Sequence, residues 1–212
     1  MIKKNKKTVI ITSIVILLPV LAGVLMWDRL PDMMATHWNM HNEADGFSSK
    51  ASAVFFMPFF MLAIQWFCIL MTTLDAKHKN HSDKLIKVVL WIVPVMSIAS
   101  CGSMYAYALG MNLKIGAVIS FALGIIFIVL GNYMPKYKQN YTIGIRLPWT
   151  LDDEENWHKT HRFAGIVWVI GGIIILATSF LANVWILLTV TIAMSIIPMI
   201  YSCMYYLKNK SK

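Results

Sequence analysis

Charge is scarce in this chain. Asp, Glu, Lys and Arg together make up 14% of its 212 residues, where a soluble domain carries roughly 25%. Only 10 residues are acidic. Cysteine is sparse as well: Cys68, Cys101 and Cys203 are odd in number, far apart and each set in an apolar run. That spacing gives no signal of a disulfide framework and offers no clustered thiolates to a structural zinc. The long apolar stretches hold no Asp, Glu, Lys, Arg or His well inside them, whereas ion-coupled carriers place such residues near the bilayer midplane. A proton-coupled transporter is disfavoured on that ground.

What is present is apolar surface: 58% of the residues are hydrophobic, beyond the roughly 45–50% of a soluble domain. Six runs are long enough for a hydrocarbon core that takes about 20 residues to cross. They are Thr8 to Trp27, Ala51 to Leu74, Val88 to Leu109, Ile115 to Leu130, Phe163 to Phe180 and Val184 to Leu207. The fold expected is all-α, a polytopic bundle of six transmembrane helices. The first run follows Lys3, Lys4, Lys6 and Lys7 as a signal peptide would, but it exceeds the usual apolar length of about 7–15 residues. It reads as an uncleaved helix.

Orientation follows from the basic residues, which are retained on the cytoplasmic side. Of the 19 Lys and Arg, 16 fall before the first run, in the second and fourth loops and in the tail, whereas only Arg29, Lys50 and Lys114 lie on the other side. Both termini are therefore expected in the cytoplasm. The net charge of +9 is explained by topology and contact with the lipid bilayer, without direct nucleic-acid binding.

Within the runs, Gln65 is the clearest polar side chain and predicts an interhelical hydrogen bond. Pro19, Pro58, Pro94 and Pro198 are tolerated where neighbouring helices satisfy the freed backbone groups. Gly116, Ser120 and Gly124 form a small-residue stripe that predicts close helix approach, within the bundle or between subunits. Trp27, Trp91, Trp149 and Trp185 stand where interfacial anchors do.

Two loops carry more information. The outer one, Asp28 to Lys50, contains Leu30-Pro31, His37-Trp38-Asn39 and Asp45-Gly46. His37 and His41 would share a face if helical, with Glu43 and Asp45 nearby, a weak metal pattern that surface histidines explain as well. Asp45-Gly46 is a turn signal. In the fourth loop, Asn132 to Arg162, Pro148 disfavours helix at Leu147, Thr150 is placed to cap a new helix, and Asp152 to Glu155 suit its N-terminal dipole. On that helix Trp157, His161 and Ala164 share a face.

These residues resemble the SdpI family of bacterial toxin-immunity membrane proteins. The signature runs through Gly131-Asn132, Pro135-Lys136, Asn140, Gly144-Ile145-Arg146, Pro148-Trp149-Thr150-Leu151, Trp157 and Thr160-His161-Arg162. The outer loop, with His37, Trp38, Asn39, Asp45 and Gly46, resembles the module of unknown function that often precedes it. The resemblance divides the chain into an N-terminal module, 1–74, and an SdpI-like module, 75–212. Two positions depart from the family pattern, which tends to have Thr where Leu147 stands and Gly where Asn42 stands. Asn tolerates a left-handed turn; Leu147 lacks the hydroxyl.

The resemblance implies immunity against a secreted peptide toxin at the bacterial cell membrane. It also implies, for some relatives, a receptor that holds a cytoplasmic transcriptional repressor at the membrane. The expectation is a binding protein with no catalytic residues, metal or cofactor. The competing readings are a metal-dependent membrane hydrolase using His158, His161 and the acidic run, and a general envelope-stress protein. HExxH order and an evident nucleophile are both absent, which weighs against the enzyme.

Overall fold

The structure is a computed structural model that describes residues 2–77, 80 and 82–210. Two lysines of the charge count, Lys79 and Lys212, lie outside the described residues. The elements in chain order are α1 (Ile2–Leu25), a hairpin of β1 (Met33–Trp38) and β2 (Ala44–Ser49), α2 (Met57–Leu74), α3 (Asp83–Leu90), α4 (Ile92–Ala108), α5 (Ile115–Tyr133), α6 (Pro148–Asp152), α7 (Glu154–Thr178) and α8 (Val184–Lys210).

Six helical segments among the described residues are long and apolar enough to cross a membrane, with α3 and α4 joined as one segment, Asp83–Ala108. The expected six-span α-bundle is what the chain forms. Its helices run past the apolar limits because polar flanks continue them: Ser82 caps α3 by accepting from Leu85 N, and Asp153 caps α7 by accepting from Glu155 N and Asn156 N. Outward faces carry unpartnered apolar side chains at helical spacing, such as Ile166, Ile170 and Ile173 on α7 and Ile192, Ile196 and Ile200 on α8. A bilayer is the environment that accepts such faces.

Because lipid is as apolar as the helices, association depends on close packing and internal hydrogen bonds. Both are present. Gln65 Nε2 donates to Thr12 Oγ1 at 3.0 Å and to Leu90 O at 3.1 Å, joining three spans as its position predicted. Ser97 Oγ donates to Ile16 O, and Tyr105 Oη donates to the Pro19 carbonyl. The small-residue stripe is used inside the bundle. A Cβ on Gly124 would meet Leu176 N at 2.9 Å and Gly172 O at 3.1 Å, and one on Gly131 would meet Gly165 O at 2.9 Å. The α5–α7 seam is the most extensive helix contact in the fold.

A single interhelical hydrogen bond in a membrane protein is worth about 0.6 kcal/mol on average. Gln65→Leu is thus expected to lower thermal stability in detergent by only a few degrees, with normal membrane abundance. Collapse of the bundle would show that the Thr12–Gln65–Leu90 clasp holds more of the fold than its geometry supports.

Among the described residues, the one departure from all-α structure is the hairpin in the first loop. Its antiparallel register runs from Met33↔Ser49 to Trp38↔Ala44, with irregularities on either side of His37. The helical premise for His37 and His41 is therefore replaced by a strand that ends at Trp38. The chain reverses over Asn39–Glu43, not at Asp45-Gly46: Asn39 Oδ1 accepts from His41 N and Glu43 N, and Asn42 takes the left-handed conformation at φ 61°.

Candidate functional site

Two clusters at opposite ends of the bundle contain the residues singled out from sequence. At the hairpin end, His37 Nδ1 lies 2.5 Å from Asp45 Oδ1, in an exposed pair. Gly46 sits across from His37 in the sheet, where a Cβ would come within 2.8 Å of His37 Cβ. Close strand approach, and not a turn, is what requires glycine there. Asn39 Nδ2 donates to Glu43 Oε2 and so closes the reversal. Trp38 packs edge-on against Tyr107 with ring centroids 5.6 Å apart. Asn42 anchors the hairpin to the bundle: Nδ2 donates to Ala182 O at 2.9 Å, and Oδ1 accepts from Gly116 N at 2.8 Å. The left-handed turn persists with asparagine, and its amide adds a clamp that glycine would lack.

Ala182 is itself left-handed, at φ 52°, in the link between α7 and α8, and Asn183 caps α8 by accepting from Trp185 N. The short connection of the last two spans thus forms one wall on which the β1–β2 hairpin rests.

At the opposite end, the segment between α5 and α7 is folded by its own polar side chains. Asn140 is fully buried; its Nδ2 donates to Lys138 O and Ile143 O, and its Oδ1 accepts from Thr142 N and Ile143 N. A buried backbone turn must satisfy its polar groups, and one amide does so here. Asp75, at the end of α2, holds the same turn through Oδ2, which accepts from Tyr141 N and Thr142 Oγ1. Gln139 Nε2 donates to the carbonyls of Thr150 and Leu151, and Lys77 Nζ donates to its Oε1.

His161 occupies the centre. It is buried and stacked on Trp157 with centroids 4.0 Å apart; Nδ1 donates to Trp157 O, and Nε2 accepts from Ile145 N at 2.9 Å. The two bonds together require a neutral ring with its proton on Nδ1. Gly144 stands directly against Nε2 with φ 123°, so that any Cβ would collide with the imidazole. Trp157 is fully buried and its Nε1 donates to Tyr137 O.

Thr150 does not cap α7, as its position suggested. It sits inside α6, where its hydroxyl accepts from Leu147 N and is placed to donate to the carbonyls of Ile145 or Leu147. Asp153 is the cap because it alone precedes the helix with extended backbone and a free carboxylate. Pro148 opens α6, as a proline at the start of a helix does. Trp149 is held by protein: its Nε1 donates to Ser202 Oγ, and its ring stacks on Tyr206. A buried chain of bonds continues through Asn156, whose Oδ1 accepts from Ser202 Oγ and Thr160 Oγ1.

Asn132 and Pro135 are exposed at the end of α5, with the Pro135 ring against Gly165. Arg146 and Arg162 are also exposed, and Arg146 Nη1 donates to Tyr141 O. The segment is thus a buried frame with two arginines on its surface. Asp75, Lys77, Gln139, Asn156 and Ser202 complete that frame; nothing in their spacing marks them, because bonds such as Thr142 to Asp75 and Ser202 to Asn156 join residues far apart in sequence.

The hydrolase arrangement is not gathered. His158 is exposed, 3.7 Å from Glu154, while both nitrogens of His161 are engaged. Among the described residues no three His, Cys, Asp or Glu group to hold a metal ion, so His37, His41, Glu43 and Asp45 form no such set.

Comparison with known proteins supplies the context. Residues 136–202 match the SdpI/YfhL protein family, and residues 14–62 match a domain of unknown function, DUF1648. The chain is 31% identical over 191 residues to the immunity protein SdpI of Bacillus subtilis (strain 168), which covers 88% of this chain and 86% of that protein. No solved structure matches.

Proposed function

The chain belongs to the SdpI family, and from that premise we propose that it is an integral membrane immunity protein protecting its cell against a secreted antimicrobial peptide. The observation that carries the reading is 31% identity to an immunity protein along 88% of the chain. Protection on this reading is by binding. The polar side chains of the buried frame are committed to hydrogen bonds that fold the loop, which leaves the exposed surfaces to meet partners. The outer hairpin, with His37, Trp38, Asn39, Asp45 and Gly46, is the face offered to the peptide. Arg146 and Arg162 are the exposed cations offered to a cytoplasmic repressor, while Asn132, Pro135, Asn140, Gly144, Pro148, Trp149, Thr150, Trp157, Thr160 and His161 build the frame beneath them. The units 1–74 and 75–212 divide the labour in the same way.

Expression in a peptide-sensitive bacterium is expected to raise survival beside a strain secreting the cognate peptide. If no peptide from the source strain is neutralised at normal membrane abundance, the reading falls and the general envelope role replaces it. The orientation has its own test, placed at exposed residues outside the frame. A membrane-impermeant maleimide is expected to label His41→Cys in intact cells and to miss Asp152→Cys until the cells are opened. The reverse pattern would invert the topology.

A further inference from the structure

A pocket of about 460 Å³ opens where three connections meet at the hairpin end of the bundle: the reversal at residues 40–42, the α4–α5 link at 112–114 and the α7–α8 link at 181–183. Ligand pockets span roughly 300–1,000 Å³, so this one admits a polar headgroup and not a folded partner. Lys114 lines it, and no carboxylate does. Lys50, at the same end, is paired with Asp32 at 3.2 Å. Lys114 makes no ion pair among the described residues.

The polar atoms around Lys114 add to that imbalance. Acceptor oxygens in the lining are already engaged: Asn42 Oδ1 accepts from Gly116 N, Ala182 O from Asn42 Nδ2, and Asn183 Oδ1 from Trp185 N. The Trp185 indole N–H and the Tyr107 hydroxyl make no hydrogen bond among the described residues, and both side chains are exposed in the lining. What the pocket offers is one cation with donors beside it. Its complement is an anion with several acceptor oxygens, as a phosphate is.

Position selects the source of that anion. The pocket lies where α5 and α8 begin, and Leu113, Leu181 and Trp185 are exposed along it. Tryptophan at the end of a span marks the level of the lipid headgroups. A dissolved anion would leave those apolar side chains facing water, whereas a phospholipid sets its phosphate beside acyl chains that cover them. A zwitterionic headgroup would bring an ammonium to a wall with no carboxylate to receive it. We propose that this pocket binds the phosphate of an anionic phospholipid, with Lys114 as its counterion.

The test uses the full-length protein in vesicles of equal parts phosphatidylglycerol and phosphatidylcholine, with a benzophenone side chain at Leu113 and its lipid adducts identified by mass. Phosphatidylglycerol adducts are expected to exceed phosphatidylcholine adducts by about fivefold, the scale of one lysine near an anionic lipid. Lys114→Gln is expected to bring the two to equality. Lys114→Arg keeps the charge, and Arg29→Gln removes an exposed cation outside the pocket; both are expected to keep the enrichment. Equal adducts in the wild type, or the same enrichment in Lys114→Gln, would overturn the proposal. An excess of phosphatidylcholine would overturn it in favour of an aromatic site for choline. Loss of the enrichment on adding inorganic phosphate at constant ionic strength would assign the pocket to the free ion. In sensitive cells exposed to the killing peptide, a peptide adduct at Leu113 in place of phosphatidylglycerol would assign it to the toxin instead.

Discussion

Replacing Gly144 by alanine is expected to remove most of the protein from the membrane. The residue has φ 123°, a conformation L side chains rarely adopt, and its missing Cβ is the space taken by His161 Nε2. Backbone strain and overpacking each cost about 1–3 kcal/mol, so the pair is on the order of 3 kcal/mol. The damage spreads because His161 accepts from Ile145 N, one residue on, and stacks on Trp157. Moving the imidazole away leaves that amide unpaired and loosens the core made by Leu85, Met134, Tyr137, Trp157 and Ala164. Immunoblotting of membranes and melting of the purified protein check this; a variant with wild-type abundance and melting temperature would mean the loop is not rigidly folded on His161.

Gly172→Leu is expected to have an effect of similar size for a different reason. A Cβ there would meet Ile128 N at 2.8 Å and Gly124 O at 2.9 Å. Both obstacles are backbone, so relief requires the helices themselves to separate. Separation along the most extensive contact in the bundle would expose the buried faces of α5 and α7, including Ile126 and Ile175. Small residues at such seams let backbones approach closely, and a leucine reverses that. The expected outcome is loss of the folded form in detergent, read by size-exclusion chromatography. A monodisperse, stable variant would show that the α5–α7 distance is not fixed by its glycines.

The spans were legible because hydropathy alone specifies them, and Gln65 and the Gly116–Gly124 stripe were legible because a polar or small residue in an apolar run has few other uses. The hairpin was not. Met33, Met34 and Ala35 are consecutive apolar residues, and the irregular register beside His37 breaks the period of two that marks a strand. Asp45-Gly46 then misled as a turn, since glycine is also what close strand approach demands. In the signature between α5 and α7, resemblance identified Asn140, Gly144, Trp157 and His161 without their roles. Those roles depend on partners such as Asp75 and Ser202, which only the tertiary fold brings within bonding distance.

The most direct test of the account is the membrane potential of sensitive cells during exposure to the killing peptide, followed with a potential-sensitive dye. Cells carrying this protein are expected to hold their potential at peptide doses that depolarise cells carrying an empty vector. Depolarisation at the same dose in both, with the protein present in the membrane at normal level, would contradict the claim that the chain confers immunity there.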